Sequence, residues 1–151
     1  MMKKLLPQAN SFETIVRVFL FAGIKERYIK DDIAEFCNFD RRQADYYLGA
    51  CMYLGLFDED GLLTSVGRDI IENDRAHCRE RLYELVITDE LAGKFFAKMA
   101  TTKHYDINQI REYAANLTKD RYNYSDAVIN RRSSAMVGWC EEILEYVRAN
   151  R

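Results

Sequence analysis

Arg41, Arg42, Gln43 and Tyr46 stand together in the stretch FDRRQADYYLGACMYLGLF, residues 39 to 57. Their types suit the reading of a nucleic-acid groove. A guanidinium can pair with phosphate or with a guanine edge, and a carboxamide can bond adenine bidentately. A phenol can reach phosphate or a thymine methyl. With Asp40 as N-cap, Ala44, Tyr47, Leu48, Cys51 and Leu54 recur at helical spacing and form the inward stripe. Arg42, Gln43, Tyr46, Gly49, Ala50 and Tyr53 then face outward, with Arg41 in the first turn. The two small residues would let a backbone approach closely. A solvated helix shows the same polar face, and arginine at a helix N-terminus opposes the helix dipole.

A second set lies in KDRYNYSDAVINRR, residues 119 to 132, with four basic and two acidic side chains. Ser125 caps a long helix. Ile129, Met136, Cys140, Ile143 and Val147 form its apolar stripe, widened by Val128, Ala135 and Trp139. Asn130, Arg131, Ser134 and Gly138 remain outward, with Arg132 at the border. Lys119, Arg121, Tyr122 and Tyr124 occupy the approach to the helix. Hydroxyls, an amide and guanidiniums on one face could hold phosphates and bases, and a packing or dimer helix along Ala135–Trp139 is the competing reading. Trp139 reads as core.

Other chemistries find no support. Asp89, Glu90 and Lys94 sit on one predicted helix at the wrong spacing for a nuclease core. No glycine-rich phosphate loop and no GxSxG occur, and no cysteine has a histidine partner. Cysteines stand at 37, 51, 78 and 140 and histidines at 77 and 104, without a pair at metal-ligand spacing. The chain is therefore expected to be no enzyme and to hold no metal or cofactor.

The net charge of −2 over 151 residues excludes a global polycation. Residues 1–75 carry 10 basic and 13 acidic side chains, and residues 76–151 carry 12 and 11. Any nucleic-acid contact must therefore be local. The acidic tip Asp58–Glu59–Asp60 would repel phosphate. One proline and seven glycines favour helices. The start MMKK precedes no long apolar run, and Ile15–Ile24 is short and broken by Arg17, so neither a signal peptide nor a membrane span is expected. A cytoplasmic protein with free thiols is.

Helical periodicity begins after Ser11, with Phe12, Ile15, Val16, Phe19 and Leu20 inward and Gly23 as the stop. A short extended piece, Arg27–Lys30, precedes a helix capped by Asp31 or Asp32. Asn38 and Phe39 make a turn, and Asp40 caps the next helix, to about Leu54. LFDEDGLLTSVG reads as a two-stranded hairpin closed by Asp60–Gly61. Thr64 or Ser65 then caps a helix continuing to about Thr88. Helices over TDELAGKFFAKMATT, with Leu91, Phe95, Phe96 and Met99 inward, YDINQIREYAANL and residues 125–150 follow. The fold expected is mostly α with a small β-hairpin wing, as two tandem winged helix-turn-helix units, 1–75 and a wing-poor 76–151.

The segments SFETIVRVFLFAG, FDRRQADYYLGACMYLGLF, LLTSVGRDI and RRSSAMVGWCEEIL together resemble tandem winged-helix modules of bacterial restriction-modification and related defence or regulatory proteins. The resemblance spans residues 10 to 148. It implies double-stranded DNA binding through the third helix of each unit, by Arg41, Arg42, Gln43 and Tyr46 and by Ser125, Asn130, Arg131, Arg132 and Ser134. Such binding would serve transcription control or restriction-type defence. A homodimer or a protein-interaction module, drawing on Tyr46, Tyr53 and the acidic tip, is the alternative. A small-molecule sensor is a remoter one.

Overall fold

The computed structural model describes residues 4–150. The chain divides into two compact units, Met1–Leu82 and Tyr83–Arg151. The division falls seven residues past the 75/76 boundary suggested by the sequence.

The first unit opens with α1 (Phe12–Ile24), α2 (Lys30–Cys37) and α3 (Arg41–Tyr53), followed by α4 (Ser65–Asn73) and a 3-10 turn (Arg75–His77). Ser11 accepts the Thr14 N–H and starts α1, as its type suggests. Phe12, Ile15, Val18 and Phe19 of α1 are fully buried, as are Ile33 of α2, Ala44 and Cys51 of α3 and Ile70 of α4, and α1 packs on each of these helices. Each fully buried aliphatic or aromatic side chain contributes roughly 1.5–3 kcal/mol. Gly23 does not stop α1. It is buried within the last turn, where an added Cβ would lie 2.8 Å from Ile71 Cδ1, so its smallness serves packing between α1 and α4. Neither Asp31 nor Asp32 caps α2; Ile29 holds the N-cap position and both aspartates lie in the first turn.

The expected wing is absent, and with it the winged-helix fold. No strand forms among the described residues; only the isolated bridges Arg27–Leu62 and Phe57–Leu63 do. Asp58 explains part of this. Its carboxylate accepts the N–H groups of Asp60 and Leu62, closing a tight acidic turn on itself. Thr64 then draws the chain away: its hydroxyl donates to the carbonyls of Gly55 and Leu56 and accepts the Gly67 N–H, beginning α4. The arms pair only once, the Asp58 N–H donating to the Leu62 carbonyl and the Thr64 N–H to that of Leu56, too little for a strand. The turn also clasps the preceding chain, with the Tyr28 N–H donating to the Gly61 carbonyl at 2.7 Å and the Leu63 N–H to that of Glu26.

Nor does one helix run from residue 65 to 88. It breaks at Asp74 (φ −136°, ψ 29°), and α5 (Cys78–Ile87) follows the 3-10 turn. Arg81 reaches back to Asp69 at 3.2 Å and to Asp74, tying the two helices across the break.

The second unit holds α6 (Ala92–Thr101), α7 (Ile107–Lys119) and α8 (Asp126–Ala149), close to the predicted helices. The long α8 packs against both α6 and α7. Ile129, Met136, Trp139, Cys140 and Ile143 are fully buried along it, as are Phe95 and Met99 on α6. Cys140 Sγ donates to the Ala92 carbonyl at 3.5 Å. The stripe ends before Val147, which is 42% exposed. Phe96 is half-buried.

Candidate nucleic-acid interface

Three residues join α2 to α3. Asn38 adopts the left-handed conformation (φ 56°, ψ 48°) that short polar residues tolerate, and its N–H bonds the Glu35 carbonyl. Phe39 stacks on Tyr47 of α3 at 5.7 Å between centroids, 12° from parallel. Asp40 accepts the Gln43 N–H at 2.9 Å and caps α3. Buried Tyr28 adds a lock, its hydroxyl donating to the Ala44 carbonyl at 2.6 Å. Burial pushes that phenol far above its usual pKa, so it stays a donor. The result is two short helices across a tight three-residue turn, with the start of the second facing solvent.

Arg41, Arg42 and Gln43 are exposed on that first turn, and Tyr46 is half-buried one turn on. These four are brought together. Arg42 Nε donates to the Tyr46 hydroxyl at 2.6 Å, and its guanidinium lies 5.6 Å from the Tyr46 ring centre. The phenol thereby holds the guanidinium along the helix face. Arg41 pairs with Asp31 of α2 at 3.2 Å, both side chains well exposed. Such a pair is worth about 0–1 kcal/mol and yields readily to a phosphate. Lys30 and Asp45 make a second pair beside it at 2.7 Å.

Two residues expected on this face are not there. Ala50 is fully buried and Tyr53 is 3% exposed. The chain before α1 lies over the end of α3: Leu6 and Ala9 are buried, and Lys4 donates to the Tyr53 carbonyl at 3.1 Å with its ammonium 4.4 Å from the ring centre. No periodicity within α3 signals that cover. A tyrosine-rich α3 face therefore reduces to Tyr46.

In the second unit the candidates separate. Lys119 pairs with Asp126 at 3.0 Å, and Arg121 with Glu90 at 3.0 Å. Arg132 lies over Tyr124 at 5.0 Å, which itself stacks on Tyr122 at 5.6 Å. Ser125 is occupied as the cap of α8, accepting the Val128 N–H at 3.3 Å. Asn130 and Arg131 are exposed and Ser134 is half-buried, so these three form what remains of an outward polar patch. The neighbouring Ser133, not singled out in the sequence, is buried and donates to the Ile129 carbonyl, a structural bond within α8.

Among the described residues no group of histidine, cysteine and carboxylate side chains has the arrangement to hold a metal ion. The four cysteines are free thiols. Burial pushes Cys78 and Cys140 up to about 12 and Cys51 higher still, leaving them poor nucleophiles. No helix among the described residues is long and apolar enough to cross a membrane.

Residues 18–148 match the family model described as a domain of unknown function, DUF7226, and the chain belongs to that family. No curated protein matches, and no solved structure does.

Proposed function

We propose that this member of the DUF7226 family binds double-stranded DNA through the start of α3, without a wing. The observation that carries the reading is the three-residue turn Asn38–Asp40. It holds α3 against α2 with Arg41, Arg42, Gln43 and Tyr46 together at the exposed N-terminal end. In helix-turn-helix proteins those first residues of the second helix meet base edges while others anchor phosphates. Arg41 and Arg42 supply the anchors, and Gln43 supplies a bidentate partner for adenine. Asn130, Arg131 and Ser134 on α8 offer a smaller, separate patch. Four free thiols fit a reducing cytoplasm, where such binding would serve gene control or a restriction-type defence system.

The acidic turn Asp58–Asp60 limits how many phosphates can be approached, so the binding is modest and favoured by low salt. Fluorescence anisotropy of a labelled mixed-sequence duplex at low ionic strength tests the reading. The wild type should bind, Arg41→Ala/Arg42→Ala should weaken binding at least about tenfold, since a charged hydrogen bond is worth roughly 1.5–3 kcal/mol, and Arg131→Ala should weaken it less. A wild type that binds no duplex at low salt refutes it. A second reading, protein interaction, is favoured by a different surface: an aromatic pair flanked by cations on α1 and α2.

A further inference from the structure

Phe21 of α1 and Phe36 of α2 stack with their centroids 4.1 Å apart and 16° from parallel. The ammonium of Lys25 sits 4.2 Å from the Phe21 ring centre, and the guanidinium of Arg17 sits 5.4 Å from that of Phe36. Arg17, Phe21 and Lys25 are spaced one helical turn apart along α1, so one stripe presents cation, ring and cation. Ile24, 55% exposed, extends the same stripe, and Phe36 is itself 40% exposed.

Other cations of this unit differ in their partners: Arg42 meets the Tyr46 hydroxyl and Arg75 the Ile71 carbonyl. Lys30, Arg41, Arg68 and Arg81 each meet a carboxylate. Arg17 and Lys25 meet none among the described residues, although Glu13 lies one turn before Arg17 and Glu35 beside Phe36. The ring pair joins α1 to α2, and the two cations beside it have no carboxylate partner among the described residues.

We infer that the Arg17–Phe21–Lys25–Phe36 stack is a docking surface for an acidic protein segment that carries aliphatic side chains. Charge complementarity calls for anions: two cations at the ends of an apolar strip suit carboxylates flanking a leucine or isoleucine. The ring arrangement decides against nucleobases. Each phenylalanine has the other ring on one face and a cation on the opposite face, so no open ring face remains for a base to stack on. What is open is the ring edges and Ile24, which suit aliphatic side chains. Covering the patch removes water from both cation–ring pairs and strengthens them. Cys37 follows Phe36 and is half-buried within the field of Arg17, so its thiol reports occupancy of the patch.

The test uses the full chain and a fluorescein-labelled peptide of alternating aspartate and leucine. Companion probes replace aspartate by asparagine, replace leucine by serine, or consist of oligo(dT). The wild type should bind the first peptide with at least about tenfold preference over each companion, and in its presence Cys37 should no longer react with iodoacetamide. Arg17→Gln/Lys25→Gln and Phe36→Ala should each weaken binding about tenfold or more while circular dichroism shows the helices retained; Phe36→Ala also lowers the melting temperature through loss of the ring stack. Arg41→Ala/Arg42→Ala should bind the peptide as the wild type does, which keeps this surface separate from α3. Absence of peptide binding, equal binding by the α1 and α2 variants, or a preference for oligo(dT) would overturn the inference.

Discussion

Gly55 and Gly61 have nearly the same backbone conformation, φ +77° and +78°, yet they should respond very differently to alanine. At Gly55 an added Cβ meets no atom within 4 Å. Gly55→Ala therefore carries only the left-handed penalty, about 1–2 kcal/mol. At Gly61 the added Cβ would lie 2.8 Å from the Tyr28 carbonyl oxygen, a backbone atom that cannot swing aside. The acidic turn must then lift from Tyr28, which sacrifices the bond from the Tyr28 N–H to the Gly61 carbonyl, a further 0.5–1.5 kcal/mol or so. Loosened packing of the buried Tyr28 and Phe57 rings, now 5.7 Å apart edge to face, adds to the cost. Gly61→Ala should cost about 3 kcal/mol against about 1.5 for Gly55→Ala. Urea unfolding followed by circular dichroism separates them, since a slope near 2 kcal/mol per molar converts the difference into roughly 0.7 M in midpoint. Equal midpoints for the two variants would show that the turn is not clasped onto Tyr28, and the structural role assigned to Asp58–Gly61 would fall.

Asp40→Ala should cost about 1 kcal/mol through removal of the α3 cap, whereas Asp40→Asn, which retains a capping oxygen, should cost only a few tenths; urea midpoints of the two check this. Asp31→Asn should raise duplex affinity a few-fold at low salt by freeing Arg41 from its exposed pair, read by the same anisotropy titration. Cys37 should react first with a thiol reagent at mildly alkaline pH, and Cys51, Cys78 and Cys140 only on unfolding. Those buried thiols keep their protons in the fold to about 12 or beyond, while an unfolded chain gives them up near 9.0. The stability they confer is thus complete below about pH 9 and drains as pH climbs toward 12, which urea midpoints across that range would show.

Local signals were legible in the chain. Ser11, Asp40, Thr64 and Ser125 cap helices as their types and positions suggest, because a cap needs only the two or three residues after it. The turn at Asn38 and the inward stripe of α3 were readable for the same reason. Errors arose where a distant partner decides. Gly23 resembles a helix stop until Ile71 is packed on it. Tyr53 resembles a surface residue until Lys4 lies over it. Arg121 resembles a phosphate anchor until Glu90 meets it across the unit. The wing failed through competition at short range: the Asp58 carboxylate takes the Leu62 N–H and the Cys51 carbonyl takes the Leu56 N–H, both of which a longer hairpin ladder would need. The four candidates on α3 came together because they are neighbours on one helix, whereas the second set depended on a loop whose charges find partners within their own unit.

The most direct test of duplex binding through α3 is the salt dependence of affinity for mixed-sequence DNA, measured for the wild type beside Arg41→Ala/Arg42→Ala. Removing one cation that neutralises a phosphate lowers the slope of log affinity against log salt by about 0.9. The double variant should show a slope shallower by nearly two. Identical slopes, or no measurable binding by the wild type at the lowest salt, would contradict it.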